Sequence, residues 1–95
     1  MSVVILGGNE CMERQYKDLC KQYNCRAKVF CKMKGMKAGI GNPDMIVLFT
    51  DTISHKMVQC AMSELKGSKA RIVRSHSSSR AALKAILSEH AAVNA

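Results

Sequence analysis

The chain has 95 residues, 47% of them hydrophobic, and a formal net charge of +8. That length makes one domain, residues 1–95, with a single core and no separate substrate domain, and the apolar content excludes bulk disorder. No run approaches a membrane span and Met1 to Gly8 lacks the basic start of a signal peptide, so no membrane partner is expected and the cytoplasm is the expected location.

Five cysteines, an odd count, argue against a secreted disulfide framework. The positive charge admits nucleic acid, a small anionic ligand or a solvated surface. Four aromatic residues, Tyr16, Tyr23, Phe30 and Phe49, are thin for stacking single-stranded bases. Duplex contact by charge alone stays open, with Lys32, Lys34 and Lys37 its first candidates.

Ser2 to Leu6 reads as a buried strand that ends in the glycine turn Gly7-Gly8 before Asn9. Glu10 to Tyr23 follows as a helix, because Met12, Tyr16, Leu19, Cys20 and Tyr23 make one apolar stripe. Asn9 is its N-cap, with Glu10 and Glu13 on the favourable end of the dipole. Asn24 ends this helix.

Cys25 to Cys31 then alternates, with Arg26, Lys28, Phe30 and Lys32 on one face, as suits a charged sheet edge. Lys32 to Asn42, rich in lysine and glycine, is a loop or short helix closed by Pro43.

Met45 to Phe49 is a continuous apolar run, the mark of a strand buried on both faces in a parallel sheet. Thr50, Asp51, Thr52, Ser54 and His55 follow at its carboxyl end, and Ser54 is placed to cap a helix that reaches about Lys66. Val58, Ala61, Met62 and Leu65 form its expected buried stripe, and Gly67 stops it. Ala70 to Arg74 is a second short, charged edge strand. Ser75-His76-Ser77-Ser78-Ser79 leads into a last helix with Leu83, Ile86, Leu87 and His90 on one side; residues 91–95 are expected to fray.

This alternation predicts an α/β fold: a small four-stranded parallel sheet of order 2-1-3-4, in a Rossmann-like or flavodoxin-like three-layer sandwich. Its switch point lies between the first and third strands. Gly7, Gly8 and Asn9 should therefore face Thr50, Asp51, Ser54 and His55 across one crevice.

Two clusters at that edge have the composition of an anion site. Gly7, Gly8 and Asn9 offer backbone N–H groups at a helix start, without a GxGxxG or Walker pattern. His76, Ser77, Ser78, Ser79 and Arg80 add hydroxyls, amides and a guanidinium, although serines before a helix also serve simply as caps. Asp51, Ser54 and His55 hold the ingredients of acid–base chemistry, but no nucleophile elbow accompanies them and no catalytic residue is assigned.

The cysteines contain no CxxC, and Cys20, Cys25 and Cys31 suit the core. Cys11 near a helix start and the off-stripe Cys60 are candidates, with His55 and His76, for a soft metal, haem or thiol chemistry.

The segments Val-Val-Ile-Leu-Gly-Gly, Pro-Asp-Met-Ile-Val-Leu-Phe-Thr-Asp-Thr-Ile-Ser-His-Lys and Val-Arg-Ser-His-Ser-Ser-Ser together resemble a bacterial family, the domain-of-unknown-function family 2325. The resemblance covers nearly the whole chain and implies a cytosolic protein with a Rossmann-like fold and no settled activity. In that pattern a histidine often follows the paired glycines, where this chain has Asn9; His55 and His76 stand at matching positions.

The leading expectation is a non-catalytic binding or sensing module. It would hold a small anionic ligand, a nucleotide or phosphorylated metabolite, at the carboxyl edge of the sheet. His55 and His76 could make that binding pH-sensitive. A homodimer is expected, and the haem, soft-metal or thiol-redox reading is the alternative from another class.

Overall fold

A computed structural model of the chain describes residues 2–32, 39–41, 43–67 and 69–90. Strand β1 (Ser2–Leu6) is followed by a 3-10 turn (Glu10–Met12) and helix α1 (Glu13–Gln22). Strands β2 (Arg26–Phe30) and β3 (Met45–Phe49), helix α2 (His55–Glu64), strand β4 (Arg71–Ser75) and helix α3 (Arg80–His90) complete the order. The four strands form one parallel sheet in the order β2-β1-β3-β4, as expected.

The sheet order follows from which strands can tolerate water. Val3 to Leu6 and Met45 to Phe49 are all buried, so β1 and β3 take the centre; β2 and β4 carry Arg26, Lys28, Arg71 and Arg74 outside them. Alternate residues of each central strand serve opposite layers. Val3, Ile5, Met45, Val47 and Phe49 pack with Tyr16, Leu19 and Cys20 of α1 and Leu83, Ile86 and Leu87 of α3. Val4, Leu6, Ile46 and Leu48 pack with Ile40 and with Met57, Ala61 and Leu65 on the α2 side. Helices α1 and α3 thus cover one face and α2 the other.

Local sequence sets the helix ends. Asn9 accepts from the Cys11 amide at 3.0 Å, but the cap opens the 3-10 turn and the α-helix proper begins only at Glu13. At the far end Asn24 adopts φ 59°, its amide donating to Lys21 O at 3.0 Å and that of Cys25 to Cys20 O at 2.9 Å, a left-handed cap that turns the chain into β2. Ser54 caps α2 by accepting from Met57 N at 3.2 Å.

The buried line of α2 is Met57, Ala61 and Leu65, while Val58 and Met62 are only half-buried. The stripe is therefore rotated from the expected one, along an i, i+4, i+8 line that starts at the third residue past the cap. Residues 33–38, 42 and 91–95, which hold Lys34, Lys37 and the tail, lie outside the described residues. No helix among the described residues is long and apolar enough to cross a membrane.

The core thiols behave as hydrocarbon-like filling. Burial, with Cys25 beside it, pushes the Cys20 thiol from 9.0 up to about 12. Burial likewise raises Cys25, and raises Cys31 with help from the carboxylates of Glu13 and Glu10. A thiol whose folded pKa lies above its unfolded value contributes stability that is complete below pH 9 and is lost as pH climbs toward 12. The urea midpoint of the protein is accordingly expected to fall more steeply across that alkaline range than that of Cys20→Ala. Parallel pH profiles would contradict this assignment.

Candidate functional site at the carboxyl edge of the sheet

The carboxyl ends of β1, β3 and β4 and the N-terminal ends of α2 and α3 meet at one edge, because every strand in a parallel sheet points the same way. The segments singled out in the sequence, 7–9, 50–55 and 76–80, all lie there. Their hydrogen bonds show what each residue does.

The glycine turn is seated tightly against its neighbours. Gly7 and Gly8 have φ of 90° and 84°, which an L side chain rarely adopts. A Cβ on Gly7 would lie 3.1 Å from both Phe49 O and Thr52 Oγ1; one on Gly8 would lie 2.9 Å from Tyr16 Cε2. The expected crevice between this turn and the end of β3 is filled by Thr52, Ile53, Tyr16 and Phe49.

The turn's donors are used as well. Gly7 N donates to Phe30 O at 3.0 Å, Gly8 N to Thr52 Oγ1 at 2.6 Å, and Asn9 N makes a long 3.5 Å contact to the Tyr16 hydroxyl.

The serine segment is equally occupied. Ser78 donates twice to Asp51 Oδ2, from its amide at 3.2 Å and its hydroxyl at 3.1 Å. Ser77 N reaches Ser75 Oγ and Ser79 N reaches Ser77 Oγ, each at 3.3 Å. The Ser79 hydroxyl caps α3 by accepting from Ala82 N at 3.1 Å. The amides assigned to an external anion are thus held by internal acceptors. Asp51 supplies the negative charge beside the start of α3, where the helix dipole favours one.

Tyr16 ties the two halves together. It is fully buried, with its ring 5.4 Å from that of Phe49, and its hydroxyl donates to Ser78 O while facing Asn9 N. Helical spacing accounts for Tyr16 in the apolar stripe but not for this role, whose one signal in the sequence is that a buried tyrosine hydroxyl needs a polar partner. Thr52, also absent from the expected site, joins the β1 turn to β3 by accepting from Gly8 and donating to Phe49 O at 3.3 Å.

The remaining side chains are more available. Thr50 Oγ1 lies 3.1 Å from Ser75 O and 3.2 Å from His76 Nδ1. With the single hydroxyl proton directed at Ser75 O, the imidazole donates from Nδ1; Nε2 is then an acceptor in the neutral ring and a donor to an anion only in the imidazolium. His55 and Arg80, the first residues of α2 and α3, are exposed and have no hydrogen-bond or ion-pair partner among the described residues.

On the β2 side an open depression is lined by Glu10, Glu13, Val29, Phe30, Cys31 and Lys32, and Lys32 pairs with Glu10 at 3.0 Å.

The chemistry weighed from sequence is redistributed by this geometry. Asp51 is bonded to Ser78 and Ser54 caps α2, so both are committed to holding the frame. Among the described residues no three His, Cys, Asp or Glu side chains group to hold a metal ion. Cys11 is exposed in the 3-10 turn, and Cys60 lies mid-helix, about 140° around α2 from His55.

Tyr16→Phe leaves Ser78 O and Asn9 N without their shared partner. A loss of about 1–2 kcal/mol in urea unfolding is expected, and a neutral result would contradict the tie. Gly8→Ala is expected to cost at least as much, about 1–3 kcal/mol, through the strained φ and the contact with Tyr16, with a fall in melting temperature as its readout.

No curated protein and no solved structure matches the chain. One family profile does, over residues 2–90, and it is described as uncharacterized protein conserved in bacteria (DUF2325). That span takes in β1 to β4, α1 to α3 and the segments of the carboxyl edge, and the chain belongs to this family.

Proposed function

We propose that the protein is a non-catalytic binding or sensing module that holds a small anionic ligand, of the nucleotide or phosphorylated-metabolite class, at the carboxyl edge of its sheet. The observation that carries this reading is the division of labour at that edge. Backbone amides, Asp51, Tyr16 and Thr52 are consumed in fastening the segments together, whereas His55, His76 Nε2 and Arg80 have no partner among the described residues.

A frame already fastened by internal hydrogen bonds needs no backbone ordering when an anion arrives, so the ordering cost falls on the few side chains that close on it. The net charge of +8 adds a long-range attraction for such ligands. Within the set expected from sequence, the reading narrows to His55, His76 and Arg80, because the amides of Gly7, Gly8, Ser77, Ser78 and Ser79 already have internal acceptors. A guanidinium suits this task through paired, charge-assisted bonds to phosphate oxygens.

Isothermal titration with pyrophosphate and with ADP tests the reading. Binding is expected, and Arg80→Ala should weaken it roughly fivefold or more. An unchanged affinity in that variant, or no binding of either probe by the parent protein, would contradict the assignment.

A further inference from the structure

We propose that the outer edge of β4 is a docking strip for an extended acidic peptide, which would add to the sheet as a fifth strand. The backbone pattern supports this first. Arg71 N donates to Asp44 O at 3.0 Å and Thr50 N donates to Ser75 O at 2.8 Å, so the odd-numbered residues of β4 face β3. By the alternation of a strand, Ile72 and Arg74 direct their N–H and C=O groups outward, and neither has a hydrogen-bond partner among the described residues.

The side chains define the partner. Ile72 is 42% exposed, and among the described residues it is the large hydrophobic left open to water. Exposed Lys69, Arg71 and Arg74 lie near it along the chain: Arg74 shares its face of the strand, while Arg71 points to the other face, where its guanidinium lies 3.3 Å from His90 Nδ1. An apolar spot between cations on an open edge matches a strand carrying carboxylates around one apolar residue.

The same charges disfavour a second copy of β4. An antiparallel dyad centred on Ile72 sets Arg71 diagonal to its own copy. One centred on Val73 does so for Arg74, and one on Arg74 sets it directly opposite itself. Like charges in those relations are destabilising, whereas glutamates there are attracted.

The probe is a fluorescein-labelled heptapeptide of glutamates around one central valine, which charge repulsion keeps extended. Fluorescence anisotropy should show saturable binding that weakens as salt is added. Ile72→Pro removes an outward donor without touching the β3 ladder, so the fold is expected to survive while affinity drops about tenfold or more. A peptide N-methylated at alternate positions should lose binding to the unaltered protein in the same way, which decides the question if the proline variant fails to fold.

Absence of binding, or equal affinity for Ile72→Pro and for the methylated peptide, would overturn the proposal and leave only diffuse charge attraction. So would a dimer of the parent protein that Ile72→Pro converts to monomer, since a second copy would then own the edge.

Discussion

The two hydrogen bonds from Ser78 to Asp51 hold the carboxyl end of β3 against the start of α3, and the arrangement of the edge depends on them. A parallel sheet gathers the polar ends of its strands on one side, where each free N–H must find an acceptor or face water. Here the acceptors are built in: Asp51 for Ser78, Thr52 for Gly8, and Ser75 and Ser77 for the amides that follow them. Tyr16 closes the circuit from beneath, anchored by its ring on Phe49 and by its hydroxyl on Ser78 O.

This arrangement separates support from display. His55, His76 and Arg80 occupy the displayed positions in this chain. An anion held by His55 or Arg80, as proposed, would lie at the N-terminal end of α2 or α3, where the helix dipole favours negative charge. Asp51 offsets part of that field near α3, so under this proposal an anion would meet Arg80 rather than the amides that Asp51 already holds.

Much of the fold was legible because its signals are local and periodic. The continuous apolar runs Val3 to Leu6 and Met45 to Phe49 suit central strands, and the arginines and lysines of β2 and β4 suit the edges, which together give the observed strand order. The position of the edge was legible for the same reason. Which groups were free there was not, since it depends on pairs 27, 44 and 62 residues apart: Ser78 with Asp51, Gly8 with Thr52, and Tyr16 with Ser78.

Helical periodicity reports that Tyr16 is buried but says nothing of where its hydroxyl points. Residue type alone also placed Cys11, Cys60, His55 and His76 in one list, while the fold separates Cys60 from the edge along α2. The shift of the α2 stripe from Val58 to Met57 is a smaller case, in which two neighbouring helical lines share Ala61 and Leu65 and only packing chooses between them.

The central claim is that the edge's amides serve the frame while its side chains serve the ligand. A residue-resolved NMR titration with pyrophosphate tests this most directly, following backbone amides and the side-chain resonances of His55, His76 and Arg80 together. The account predicts that those side chains shift on saturation while the amides of Gly8 and Ser78 keep their positions and their protection from exchange. Large shifts at the Gly8 and Ser78 amides, with the side chains unmoved, would contradict it and show that the anion displaces Thr52 and Asp51.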